Sequence, residues 1–260
     1  MKLTPDQVTT EEVKEWQGLH LFHYQMSSCS QKVRILMGEL NLDFISHHID
    51  LRKNEQKSDW YRGINPNGVV PTLVHDGEVH IESNDIIQYL DQNFATPTNS
   101  LLPTSDSSQT EMQQLLDLED QLHVDLRKVT FTYLAPDIHG DGEGDPSLDY
   151  IGRFYDAFVT LDERLTKQAY LLGESITLAD VSWFITLHRL RLAGYPMEQH
   201  TALDAYFKKL SSRPAFKTQA ASGPVALRLA GFVYRRLRKF KKSLRNDFQA
   251  WSKGAGIALS

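Results

Sequence analysis

The chain has 260 residues, 41% of them hydrophobic and 23% charged. That length accommodates two packed cores, and the composition excludes a chain disordered throughout. The formal net charge of −5 is unevenly spread, because residues 225–253 carry nine Arg or Lys against a single acid, leaving a strongly acidic remainder.

The first residues, Met-Lys-Leu-Thr-Pro-Asp-Gln followed by Glu11, Glu12 and Glu15, lack the basic-then-apolar pattern of a secretory signal. No apolar run has the length needed to span a bilayer, so the expected location is the cytoplasm. Cys29 is the only cysteine, which rules out an intrachain disulfide and any cysteine-rich metal site. The ten histidines do not fall at metal-ligand spacing, and the acids of Asp137 to Asp145 fall at the wrong offsets for a calcium loop. No metal is expected.

Leu19 to Tyr24 alternates apolar and polar residues with aromatic enrichment, the pattern of a strand. The polar cluster Gln25 to Ser30 follows, and then Val33, Ile35, Leu36 and Leu40 recur at helical spacing. Phe44 to Ile49 reads as a second strand. Glu55 to Gly63 reads as a short helix or an irregular connection. Val70 to His75 and Val79 to Ile81 flank Asp76-Gly77, a hairpin signal, and Ile86, Ile87, Leu90 and Phe94 continue as a helix from Ser83. The order βαβαββα is an α/β sandwich.

Ala95 to Ser108, rich in Pro, Thr, Ser and Asn, has the composition of a linker. The expected division is therefore a domain over 1–95, a linker over 96–108 and a second domain over 109–260. Helical periodicity runs from Met112 through Leu115, Leu122, Leu126 and Val129 to Tyr133, and Pro136 to Pro146 interrupts it as an acidic, glycine-bearing loop. Tyr150 to Leu165, Thr177 to Leu192, Leu203 to Ser211 and Ala215 to Ala221 resume it, so the second domain is an all-α bundle ending in a basic tail over 223–260. Thr177 and Asp180 make a capping box, with Ile176 and Val181 as its hydrophobic staple.

Three segments are candidates for chemistry. In Met26 to Lys32, three hydroxyls and a thiol stand where a strand gives way to a helix, and free backbone amides with the helix dipole favour an anion there. Ser27 and Ser28 are donors for a thiolate, which needs such donors to exist near neutrality; the plainer reading is that one serine caps the helix. Cys29 is either a low-pKa thiol at a helix start or a small hydrophobe facing the core. In Asn65 to Leu73, a cis Val70-Pro71 bond turns the amide and carbonyl of Val70 outward, as an edge for the backbone of an extended peptide. At the third segment, Ser83 offers a hydroxyl and an amide to a carboxylate, and Glu82 accepts from an ammonium group. Together these two suit an α-amino acid head group; singly, each is a helix cap.

The ordered motifs Ser-Ser-Cys-Ser-Gln-Lys-Val-Arg (27–34), Asn-Pro-Asn-Gly-Val-Val-Pro-Thr-Leu (65–73), Glu-Ser-Asn-Asp-Ile-Ile-Gln-Tyr-Leu (82–90) and Leu-Gly-Glu-Ser-Ile-Thr-Leu-Ala-Asp-Val (172–181) resemble glutathione transferases over residues 19 to about 216. The resemblance implies a thioredoxin-like domain that binds glutathione as co-substrate, a helical domain that supplies the pocket for a small hydrophobic electrophile, and a homodimer. It further implies that Val70, next to Pro71, pairs with the cysteinyl backbone and that Glu82 and Ser83 hold the γ-glutamyl head. Ser27 to Cys29 resembles the zeta class, including maleylacetoacetate isomerases, and Met26 to Cys29 also resembles reductive dehalogenases. By that match Ser27 polarises the glutathione thiol and Cys29 takes a mixed disulfide. The chain departs from the zeta class at Glu82, where that class has glutamine, and in its acidic loop and long tail. Glu55 to Trp60 with Asn65 to Pro71 is similar to β-aryl etherases, and Gly173 to Gly194 is similar to the ganglioside-induced differentiation-associated proteins.

The tail supports a reading of another class, a non-catalytic protein of this fold that works through partners. Arg235, Arg236, Arg238, Lys239, Lys241, Lys242 and Arg245 alternate with Phe232, Tyr234, Leu237, Phe240, Leu244 and Phe248. That mixture fits an amphipathic helix on an anionic membrane surface, or aromatics packed over the helical domain with the charges in water. The acidic remainder of the chain repels phosphate, so nucleic acid is not an expected partner.

Overall fold

The computed structural model describes residues 1–134, 148–221 and 243–257. The acidic loop read at Pro136 to Pro146 and the tail from 223 to 242 lie outside the described residues. The chain divides into two units, Met1–Leu102 and Pro103–Ser260.

In the first unit, β1 (Leu19–His23) pairs in parallel with β2 (Ile45–His48) and antiparallel with β3 (Thr72–His75), which pairs antiparallel with β4 (Glu78–His80), giving the order β2-β1-β3-β4. Helices α1 (Ser28–Glu39) and α3 (Ser83–Phe94) pack against each other. The segment Glu55 to Gly63, left open between a short helix and an irregular connection, is both: a single 3-10 turn, Glu55–Lys57, leads into helix α2 (Asp59–Arg62), and a further 3-10 turn, Leu51–Lys53, precedes it. Asp76 and Gly77 turn the β3–β4 hairpin with φ of 48° and 79°, the doubly left-handed geometry of a tight two-residue hairpin.

Two features go beyond the sequence reading. Alternation in β1 implies one wet face, yet all five of its residues are buried. The cause is the segment before it. The amide of Leu3 donates to the carbonyl of Val79 at 2.9 Å, the amides of Thr9 and Thr10 donate to the carbonyl of Gly63 at 2.7 and 3.1 Å, and the Trp60 indole donates to Glu12 at 2.7 Å. Leu3, Val8 and Val13 join Phe22, Tyr61, Val74 and Val79 in one apolar cluster, and the Trp16 ring stacks on His20 and His47 with centroids 4.6 and 4.9 Å apart. Residues 1–16 are a strap over one face of the sheet.

The second unit is helical: α4 (Asp106–Val129), α5 (Asp149–Leu165), α6 (Leu178–Ala193), α7 (Thr201–Ser211), the single turn α8 (Pro214–Phe216) and α9 (Leu244–Gly254). The helical pattern read through to Tyr133 holds to Val129, after which Thr130–Leu134 forms a wider turn. Against α4, Trp183 of α6 donates to the Leu115 carbonyl at 2.9 Å, and the buried Glu119 carboxylate accepts from Ser182 and Thr186 at 3.0 and 2.5 Å. The box at the start of α6 is present. Asp180 accepts from the amide and hydroxyl of Thr177 at 2.7 and 2.9 Å, the amide of Leu171 at 3.0 Å and the phenol of Tyr206 at 2.6 Å. The one described helix of the tail, α9, buries Leu244 and Phe248, lays Trp251 on Gly152 of α5, and pairs Arg245 with Glu198 at 2.6 Å.

Candidate active site

Strand order gathers the three candidate segments at one end of the sheet. Phe22 near the end of β1 faces Thr72 at the start of β3, and His80 at the end of β4 faces Leu73. The turn after β1, the turn before β3 and the start of α3 after β4 are therefore neighbours.

Ser27 is the N-cap of α1. Its side-chain oxygen accepts from the Ser30 amide at 3.3 Å, and its own amide donates to the Tyr24 carbonyl at 3.0 Å. Capping consumes a lone pair and leaves the hydroxyl hydrogen to donate elsewhere. The cap reading and the thiol-donor reading are thus compatible in one side chain. Ser28 and Cys29 follow as the first two helical residues, both half-buried, where backbone amides have no partner within the helix.

The Val70-Pro71 peptide is cis. Just before it, the carbonyl of Val69 is held twice, by the Tyr61 phenol at 2.7 Å and by the Asn65 amide at 3.0 Å. Asn65 also donates to the Thr72 hydroxyl at 2.9 Å, and Thr72 and Tyr61 stand 2.8 Å apart. Since the Tyr61 proton goes to Val69, the Thr72 hydroxyl must donate to the Tyr61 oxygen, and the set closes with every proton placed. Burial pushes the Tyr61 phenol well above its ordinary value, so it remains a donor. Among the described residues the amide and carbonyl of Val70 make no backbone hydrogen bond.

Glu82 is exposed and sits at φ 65° and ψ 117°, a conformation that costs a non-glycine residue about 1–3 kcal/mol. It aims its carboxylate across the gap, where the Asn67 side-chain amide donates to it at 3.3 Å. That contact ties the second candidate segment to the third. Ser83, the first residue of α3, is 7% exposed.

Sequence reasoning passed over three residues. Arg34 sits in α1, buried, and reaches back to the turn that carries Ser27. Tyr61 fell within a stretch with no clear period. Gln56 is 8% exposed, its side-chain oxygen is buried without a hydrogen-bond partner, and its main-chain oxygen is pressed against Gly68. The one signal available was the place of Arg34, a charge set inside the apolar run Val33, Ile35, Leu36 and Met37.

Residues 21–98 match the family model described as the glutathione S-transferase N-terminal domain, and residues 141–209 match that of the C-terminal domain; together these take in more than half of the chain. The chain is 29% identical over 235 residues to Protein LigF of Sphingobium sp. strain SYK-6, covering 76% of this chain and 91% of the relative. The crystal structure of beta-etherase LigF from the same strain superposes with a TM-score of 0.68 at 26% identity, covering 78% of this chain and 98% of that one. Glutathione S-transferase 3 of Zea mays is 26% identical over 217 residues, covering 80% and 95%. A delta-class glutathione transferase of Nilaparvata lugens shares the fold, with a TM-score of 0.71 at 22% identity over 83% and 99% of the two chains.

Proposed function

The chain belongs to the glutathione transferase superfamily, and from that premise we propose that it uses the thiolate of glutathione as nucleophile against a small hydrophobic electrophile. Residues 1–95 are the glutathione-binding domain in this reading, 96–108 the linker and 109–260 the electrophile-binding domain. The cysteinyl backbone pairs with Val70 beside Pro71, Glu82 takes the ammonium and Ser83 the carboxylate of the γ-glutamyl head, and the sulfur lies against Ser27. Ser28 and Cys29 present the first-turn amides of α1, and Cys29 is also the position for a mixed disulfide.

The observation that carries this reading is the state of Ser27, whose oxygen already accepts the Ser30 amide. A hydroxyl polarised in this way, at the positive end of a helix, donates to a thiolate and lowers its pKa. Attack then forms a carbon–sulfur bond while the leaving group departs with its electron pair, the thiol proton having gone to solvent beforehand. Holding both reactants close supplies the rest of the acceleration.

The test is conjugation of glutathione to an aryl chloride. Ser27→Ala is expected to lower kcat by about 10²-fold, the usual effect of losing one preorganised donor to a developing anion, with a smaller change in glutathione affinity. Equal losses in both would remove Ser27 from the chemistry.

A second reading is favoured by the likeness to LigF, namely that the electrophile is a β-aryl ether and the leaving group an aryloxide. A substrate panel of an aryl chloride, a β-aryl ether, a chlorinated hydroquinone and maleylacetoacetate discriminates the two readings. On the family premise we further propose a cytoplasmic homodimer with a role in detoxification. Among the described residues no helix is long and apolar enough to cross a membrane.

A further inference from the structure

Arg34 is 5% exposed, and its side chain runs back along α1 to the end of β1. One guanidinium nitrogen donates to Nδ1 of His23 at 3.1 Å and to the Tyr24 carbonyl at 3.4 Å, and another donates to the Gln25 carbonyl at 3.0 Å. Those two carbonyls open the turn that carries Met26 to Cys29. Tyr24 is tied to that turn twice more, its carbonyl by the Ser27 amide at 3.0 Å and its amide by the Ser30 hydroxyl at 3.4 Å. The guanidinium is thus the common anchor of the backbone from which Ser27 hangs.

His23 completes the brace. A guanidinium only donates, so Nδ1 accepts from it, and Nε2 carries the proton toward Ser46 of β2 at 2.7 Å. Burial first, and then the charge of Arg34, lowers His23 to about 4, so the ring is neutral at working pH. The other charged or titratable groups acting on it, His48 and His47 of β2, push in the same direction.

Resting on the reading that the glutathione sulfur is activated at Ser27, we propose that Arg34 is the positioning residue of that activation. It fixes the Tyr24–Gln25 carbonyls, hence the direction of the Ser27 hydroxyl, and it holds a permanent positive charge behind the first turn of α1. Arg34 touches no reacting atom. Its loss therefore acts on the acidity of the bound thiol and spares the grip on the rest of glutathione, which other residues make.

The experiment measures the pKa of enzyme-bound glutathione by ultraviolet thiolate absorbance across pH, and glutathione affinity by calorimetry, in wild type, Ser27→Ala, Arg34→Gln and Arg34→Lys. Wild type is expected to hold the thiol below its free value of about 8.5. Arg34→Gln, which removes the charge and the fork, is expected to raise it by about one unit, a tenfold loss of thiolate, with Kd changed less than about threefold. Arg34→Lys keeps the charge, but a single ammonium cannot serve all three acceptors, and it should fall between. If Arg34→Gln does not fold, an unchanged thiol pKa in Arg34→Lys overturns the proposal, as it does in Arg34→Gln. A tenfold rise in Kd at a pH well below the bound thiol's pKa, where affinity no longer reflects thiolate stabilisation, also overturns it. Failure of the site reading looks different, because wild type would then bind no glutathione, or Ser27→Ala would leave the bound thiol unchanged.

Discussion

The carbonyl of Val69 has two donors, and the phenol of Tyr61 is the shorter bond. Tyr61→Phe keeps the buried ring and removes that donor, along with the acceptor for Thr72. Of the two hydrogen bonds lost, the one to Val69 bears on the edge that meets glutathione, and at about 1 kcal/mol it predicts a KM for glutathione raised about fivefold, with kcat and the thiol pKa unchanged. Steady-state kinetics across pH checks this, and a matching fall in kcat would count against a purely positioning role. Residues such as Ser27 and Pro71 were legible because their types carry backbone meaning by themselves: a serine before a helix, a proline before a strand. Arg34, Tyr61 and Gln56 were not. Their work depends on which carbonyl they meet, and the turns that present those carbonyls are set by tertiary pairing.

At the scale of elements, the same division holds. The Asp76-Gly77 hairpin and the Thr177–Asp180 box were readable because each is closed within a few residues of chain. The strap of residues 1–16 was not, since it has no helical or alternating period and gains its order from contacts with residues elsewhere in the chain, among them His20, Phe22, His47, Trp60, Gly63, Val79 and Ile81. In α9 the packing read for the tail is found for Leu244 and Phe248, which are buried while Arg245 pairs with Glu198. Gly77 records the strap in the fold, because a Cβ there would collide with the Lys14 carbonyl, and its φ of 79° disfavours any side chain as well. Gly77→Ala is therefore expected to cost roughly 2 kcal/mol or more, through strained backbone and a displaced strap. Urea unfolding followed by tryptophan fluorescence tests it, since Trp16 rides on the strap. A variant as stable as wild type, with unchanged fluorescence, would mean that the strap contributes little to holding the sheet.

Across the whole molecule, both units bury histidines that stay neutral. Burial is the leading cause in each case, lowering His23 and His80 of the first unit to about 4 and His188 of the second to about 3. A folded-state value below the ordinary 6.5 means that the unfolded chain takes up the proton first as pH falls. The stability these groups confer is thus fully present above about 6.5 and drains away as pH drops toward their folded values. His188 packs beside the stacked pair Phe184 and Phe207, with centroids 6.0 and 6.2 Å away, and Arg189 and Arg191 add to its resistance to charging. Its share of the loss between pH 7 and pH 5 is about 2 kcal/mol. His188→Phe keeps an aromatic ring in the stack and removes the titration. The variant should lose about 2 kcal/mol less than wild type over that interval, read as urea midpoints by circular dichroism at each pH. Parallel pH profiles for the two proteins would show that His188 accepts its proton without unfolding the helical unit.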